Sequence, residues 1–334
     1  MPHQVLSHNA LLAQLGRLAT QSLVLWPLST VATARLMTLS ENATFLVEGA
    51  EGRKFVLRIH REGYHTGHAI RCELAWSSAL NDTGGVITPT VLLGKDGNAV
   101  QTAKCREMAQ PRHMVMFDFI EGCAPDENAD LVGPFTALGE IAAKTHHHSL
   151  RWQRPQNFDR LVWNETTIFG AAPIWGDWRD GPGVLAHHKE VLEALEHRIM
   201  ARLQVFGKSA ARYGLIHADM RLANLLIHNG APRLIDFDDC GFGWYLYDFA
   251  AGVSFMEDHP QVPALKEAWV KGYRKVRALS DDEYQEIDTF VMLRRMALLA
   301  WIGSHREVDL AQELAPTFCE KSVALAEAYL ATNR

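Results

Sequence analysis

The stretch that most restricts this chain is His217-Ala218-Asp219-Met220-Arg221-Leu222-Ala223-Asn224, because a tight hairpin is encoded directly after it. Two short apolar runs, Leu225 to His228 and Arg233 to Phe237, flank the pair Asn229-Gly230. Asn-Gly is what a two-residue hairpin turn selects, since both of its central residues need positive φ. The hairpin returns Asp236-Phe237-Asp238 beside Asn224. Asp219 precedes Asn224 by only a short loop, so the turn between them can aim both side chains the same way. A carboxylate, an amide and further carboxylates gathered in this manner suit phosphoryl transfer. That chemistry needs a carboxylate at the acceptor hydroxyl, hard oxygen ligands for Mg²⁺ on the phosphates, and positive charge for the developing anion. Asp219 fits the first need, and Asn224 and Asp236 fit the second.

The rest of the chain divides by pattern. Thr44 to Glu48 and the alternating Lys54 to His60 flank the turn Gly49–Gly52 and predict a hairpin. Ile70, Leu74, Trp76 and Leu80 predict a helix over 68–80. Val86–Leu93, Ala99–Ala103 and Val115–Ile120 are further strand candidates. After Gly122 the pattern becomes helical. Pro134 opens a helix with Leu138, Ile141, Ala142 and Thr145 on its inner face, and another runs from His187 to Phe206. Everything beyond about 247 reads as helix. The expected fold class is α+β and bilobal, with a β-rich N-terminal lobe (1–118) and a mainly helical C-terminal lobe (119–334) that carries the late hairpin and the catalytic loop.

Composition narrows the setting. The 334 residues are 48% hydrophobic, enough for a sizeable core. A formal net charge of −6 without a long basic run gives no electrostatic footprint for nucleic acid. Five scattered cysteines, with no C-x-x-C pair, read as reduced thiols of a cytoplasmic protein. Met1 to Leu15 has no signal-peptide pattern, and apolar stretches such as Met296–Ile302 are far too short to span a membrane. The expected partner is a small molecule bearing a hydroxyl, with neither nucleic acid nor membrane; homodimerisation is left open.

The segment 213–250 resembles the catalytic loop and metal motif of the aminoglycoside phosphotransferase-like kinases, the phosphotransferase enzyme family. Their loop usually reads His-Gly-Asp-φ-x-x-x-Asn, with Ile/Val-Asp and then Tyr-Asp-Leu-Ala further along. Here these positions hold His217-Ala218-Asp219, Asn224, Ile235-Asp236 and Tyr247-Asp248-Phe249-Ala250. The resemblance implies a protein-kinase-like fold that uses ATP and Mg²⁺. It makes Asp219 the base, Asn224 and Asp236 the magnesium ligands, His217 the residue that orders the loop, and Asp248 its brace. It also implies that Arg58, where most kinases carry lysine, grips the α/β-phosphates with Glu73 as its helix partner. Ser40 and Asn42 would belong to the loop over the phosphates, and Phe117 and Phe119 to the hinge beside adenine. Arg221 stands where protein kinases carry a lysine that touches the transferring phosphate, and is expected to do the same. Asp238 replaces the glycine of Asp-Phe-Gly and is a further metal candidate. Ala218 in place of glycine reads as a small change. By the resemblance the acceptor is homoserine- or amino-alcohol-like. The alternatives are a protein serine/threonine kinase and a nucleotide-binding regulator without turnover.

Other features read as structure. His146, His147 and His148 are consecutive on a helix and diverge by about 100° per residue, so they are not a metal site, and His146 is expected to pack inward. Trp152, Trp163, Trp175 and Trp178 are expected mostly to pack an insertion onto the helical lobe; the alternative is an aromatic wall that holds an amine by cation–π contact, with Glu165, Asp177 and Asp180 as acids for its ammonium group. Ser304 to Glu307 reads as a solvated helix end.

Overall fold

The computed structural model describes residues 8–332, so the first seven residues of the Met1–Leu15 stretch lie outside the described residues. The chain forms two compact units. One comprises the chain up to Ser78, Thr88–Glu121 and Pro155–Asp159; the other comprises Ala79–Ile87, Gly122–Arg154 and the chain from Arg160 onward. Along the chain the main division falls at Glu121/Gly122, with Ala79–Ile87 and Pro155–Asp159 assigned across it.

The first unit contains α1 (His8–Ser22), β1 (Thr33–Leu39), β2 (Ala43–Glu48), β3 (Lys54–Ile59), α2 (Gly67–Ala79), β4 (Val91–Leu92), β5 (Gln101–Ala103) and β6 (Arg112–Asp118). Its sheet runs β1-β2-β3-β6-β4, with β5 also on β6. The pairs β1–β2 and β2–β3 are antiparallel and joined by short connections, whereas β3 and β6, also antiparallel, are linked through α2, β4 and β5. Leu15, Leu18 and Trp26 pack with Phe45, Leu57, Met114 and Met116 as its core. The sequence pattern missed α1 and β1. It also extended strands too far: only Val91–Leu92 of 86–93 and Gln101–Ala103 of 99–103 form strands, with Ile87 making an isolated bridge to Arg233, and β6 ends before Phe119 and Ile120.

The second unit is mainly helical. It contains α3 (Val132–Ser149), β7 (Leu161–Trp163), α4 (Glu165–Phe169), α5 (Ala186–Phe206), β8 (Tyr213–Ile216), β9 (Leu225–His228), β10 (Ala231–Leu234), β11 (Gly241–Trp244), α6 (Tyr247–Gly252), α7 (Val262–Tyr273), α8 (Asp281–Ser304), α9 (Asp309–Leu314) and α10 (Phe318–Thr332). Helices α3 and α7 meet backbone to backbone. A Cβ on Gly139 would fall 1.9 Å from Trp269 O, and one on Gly272 would fall 2.0 Å from Thr136 O, so neither position admits a side chain. Helix α8 starts where Ser280 and Glu283 form a reciprocal capping box. Trp163, Trp175 and Trp178 are buried, in keeping with packing roles. Asp177 caps the turn at Arg179, and Glu165 pairs with Lys208 at 2.7 Å. The helix end at Ser304 differs from expectation, because His305 is buried and stacks on Trp301.

Candidate active site

The loop 217–224 is held at both ends by short sheets. Strand β8 leads into it and pairs antiparallel with β11, which also pairs with β7. At its far end β9 and β10 form the expected two-residue hairpin: His228 pairs with Ala231, and Asn229 and Gly230 have φ of 50° and 76°. The second strand stops at Leu234, two residues before Asp236, and Ile235 N–H donates to Asn224 O at 3.0 Å. Asp236 takes a φ of 60° and is exposed. Asp238, two residues on, is buried, and its carbonyl accepts from Arg160.

Polar side chains fix the loop from behind. Asp219 N–H donates to His217 Nδ1 at 3.3 Å, which places the ring proton on Nε2, where it donates to Ile235 O at 3.1 Å. Asp248, on the first turn of α6 and fully buried, accepts from His217 N–H at 3.2 Å and Ala218 N–H at 2.7 Å. His146 does point inward. Its Nε2 meets Asp248 at 2.8 Å, and its Nδ1 meets the Tyr273 hydroxyl on α7 at 2.9 Å. Burial holds the His146 imidazole below its ordinary range, although Asp248 works in the opposite sense. Ala218 has a φ of 66°, in the left-handed region that favours glycine, so the alanine here is a strained substitution rather than a small change.

The Asp219 carboxylate is crowded by donors. Arg221 Nε lies 3.0 Å from Oδ1 and 3.3 Å from Oδ2. Asn224 Nδ2 donates to Oδ2 at 2.9 Å and to Asp219 O at 2.8 Å. Arg294, on α8, donates from Nη2 to Oδ1 at 3.0 Å. Burial alone would raise this carboxyl, but the guanidinium charges of Arg221 and Arg294 overcome it and hold the group below the usual carboxylate range. Arg294 was not identified from sequence, nor was Arg295, which pairs with buried Glu257 at 2.6 Å. The available signal was two arginines inside the apolar run Met292–Ile302: charges in a helix segment with no solvated face must be paired.

The residues present fit a magnesium ion. Asn224 spends its amide nitrogen on Asp219, which leaves Oδ1 as its ligand atom, and Asp236 supplies an exposed carboxylate from the adjoining turn. These are the hard oxygens that Mg²⁺ takes.

In the first unit Arg58 and Glu73 form the expected ion pair, both buried, joining β3 to α2. The Arg58 guanidinium also lies 5.2 Å from the centre of the Phe117 ring. Phe119 N–H donates to Lys54 O at 3.3 Å, and the Lys54 ammonium lies over the Phe119 ring. The tight turn between β1 and β2 contains Ser40, exposed, and Asn42, buried, whose side-chain oxygen accepts Arg61 N–H at 3.0 Å.

A β-sheet unit with a buried arginine–glutamate pair, and a helical unit whose loop presents Asp219, Asn224 and Asp236, define the kinase-like class. Within that class the chain belongs to the phosphotransferase enzyme family, whose model matches residues 38–282. The structure of a microcompartment-associated aminopropanol kinase is 42% identical, covers 95% of this chain and 98% of that one, and superposes with a TM-score of 0.88. An amicoumacin kinase in complex with AMP-PNP, Ca²⁺ and Ami shares the fold at a TM-score of 0.75 and 19% identity, covering 92% of each chain. The amicoumacin kinase of Bacillus subtilis (strain 168) is 29% identical over 121 residues, 34% of this chain. That match spans about a third (35%) of the length of this curated relative. Among the described residues, no helix is long and apolar enough to cross a membrane.

Proposed function

We propose that this protein transfers the γ-phosphate of ATP to the hydroxyl of a small amino alcohol. The reading is carried by the 42% identity to an aminopropanol kinase over nearly the whole of both chains. It favours the amino-alcohol half of the expected acceptor range over homoserine.

In this reading the acceptor oxygen forms the new bond to the γ-phosphorus, the bridging bond to ADP breaks, and the hydroxyl proton passes to Asp219. Two guanidiniums make that carboxylate a weak base. Its main work is therefore to orient the hydroxyl and to take the proton late, as a loose transition state allows. Arg221, partly exposed, can turn from Asp219 toward the transferred phosphoryl oxygens. Arg294, 2% exposed, stays behind the carboxylate. Mg²⁺, held by Asn224 and Asp236, would neutralise charge on the phosphates. Arg58, fixed by Glu73, would grip α/β-oxygens with its planar fork.

The test is ADP release with Mg·ATP across 1-amino-2-propanol, ethanolamine, choline, homoserine, neutral diols and a generic protein substrate. Turnover is expected on small amino alcohols and is expected to disappear in Asp219→Asn. Phosphorylation of the protein substrate alone would overturn the reading.

A further inference from the structure

His187, His188 and Glu320 form a cluster that shares no residue with the phosphoryl-transfer site. We propose that it is a zinc site pinning the first turn of α5 to the first turn of α10. Their possible ligand atoms all lie within 4.8 Å of one another. Consecutive residues of a helix normally diverge by about 100°. At the start of α5 the two rings nevertheless converge, with centroids 3.9 Å apart.

The separations suit a metal. His188 is 3% exposed, and its Nε2 lies 3.1 Å from Glu320 Oε1. Zinc bonded tetrahedrally to nitrogen and oxygen at about 2.0–2.2 Å places two ligand atoms roughly 3.3–3.6 Å apart, a few tenths of an ångström beyond this separation. The buried ring is thus already placed, and the exposed His187 and Glu320 need only side-chain rotation to close on the ion. Two imidazoles and a carboxylate select zinc over magnesium or calcium and leave a fourth position for water.

The far side of the His188 ring is prepared as well. Nδ1 accepts Leu185 N–H at 3.2 Å and also lies 3.0 Å from Gly183 O. A metal at Nε2 moves the ring proton to Nδ1, where the Gly183 carbonyl receives it, as partner carbonyls commonly do behind metal-bound histidines. The displaced Leu185 N–H belongs to an exposed residue and can turn to water. Cys319 Sγ lies 3.4 Å from Nδ1, on the side away from Nε2, and is not part of the ligand cluster. The positive ends of α5 and α10 oppose a cation here, but that effect is weak and screened at an exposed site, and the Glu320 charge counters it.

Calorimetric titration of the full chain with Zn²⁺, with the thermal unfolding midpoint as second readout, tests the proposal. An Asp236→Ala version is run in parallel, so that the catalytic metal position cannot supply the signal. Saturation at a single equivalent and a raised midpoint are expected in both versions, with no comparable effect from Mg²⁺ or Ca²⁺. His187→Ala and Glu320→Gln alter exposed side chains, so folding is retained; each is expected to weaken zinc binding roughly tenfold or more. The proposal is overturned by absence of zinc binding, by binding that both substitutions leave unchanged, or by binding that disappears only with Asp236→Ala.

Discussion

Arg294 Nη2 lies 3.0 Å from Asp219 Oδ1, a contact that joins α8 to the loop across 75 positions of sequence. Its other bonds leave the guanidinium little freedom: Nε donates to Ser254 Oγ at 3.1 Å, and Nη1 donates to Ala218 O at 3.2 Å and to the Tyr247 hydroxyl at 3.4 Å. Arg294→Met removes one of the two cations that keep Asp219 ionised. kcat is expected to fall by about 10²–10³-fold, as when a preorganised charge partner is lost. The acid limb of the pH–rate profile should move upward, because burial then meets less opposition. Stability should fall by about 3 kcal/mol, the low end for breaking a buried pair, since Asp219 keeps Arg221. Arg294→Lys should recover part of the rate. An Arg294→Met enzyme with an unchanged profile would show that the contact is only structural.

Arg221 offers a contrast on the same carboxylate. Its side chain is 31% exposed, and its guanidinium lies 5.7 Å from the centre of the Phe255 ring. A surface pair of this kind contributes at most about 1 kcal/mol to stability. Arg221→Ala should therefore unfold within about 1 kcal/mol of the parent chain while its kcat falls by roughly tenfold or more, if the side chain reaches the transferring phosphate. Unchanged kcat would remove that role.

The legible part of this protein is the local part. Asn229-Gly230 demanded a hairpin, and His217, Asp219, Asn224 and Asp236 were close in sequence, so their grouping came from turn chemistry. The Arg58–Glu73 pair came from the family resemblance, which sets a strand residue against one on the next helix, and not from any local pattern. Arg294 could not be placed in the same way: its partner is a loop 75 positions earlier, and only the packing of α8 against α6 brings them together. The same holds for Gly139 and Gly272, whose need for a bare backbone arises from a helix crossing that no local pattern encodes. β7, β8 and β11 are three or four residues each and pair across long separations, so alternation had too few residues to register.

Ala218 tests whether the loop tolerates strain for a reason. Holding an L-residue at positive φ costs roughly 1–2 kcal/mol. Ala218→Gly relieves this, but it gives up a buried methyl, about 0.8 kcal/mol, and adds chain freedom in the unfolded state, about 0.4–1 kcal/mol. The two sides nearly cancel, so the glycine variant should lie within about 1 kcal/mol of the parent in a urea titration and retain activity. Ala218→Val, β-branched at the same φ, should be destabilised and lose activity. A glycine variant that is markedly less stable would mean that the methyl group carries packing beyond its area.

His146 should make the loop's brace sensitive to acid. Its folded pKa lies below the ordinary 6.5 because burial disfavours the charged ring. Above that value the ring is neutral in both the folded and unfolded states, and stability is independent of it. As pH falls below 6.5 the unfolded chain takes up a proton that the folded chain refuses, so stability declines until the folded pKa is reached. His113 and His148 are lowered in the same direction by burial, so the whole protein should lose stability over this range. The His146 share is the part that His146→Gln removes. Gln can still donate to Asp248, so the brace is weakened rather than abolished. Urea midpoints at pH 7.5 and 5.5 are expected to differ more in the parent chain than in His146→Gln. Equal differences would mean that the buried ring takes up its proton without cost, with Asp248 fully compensating for its burial.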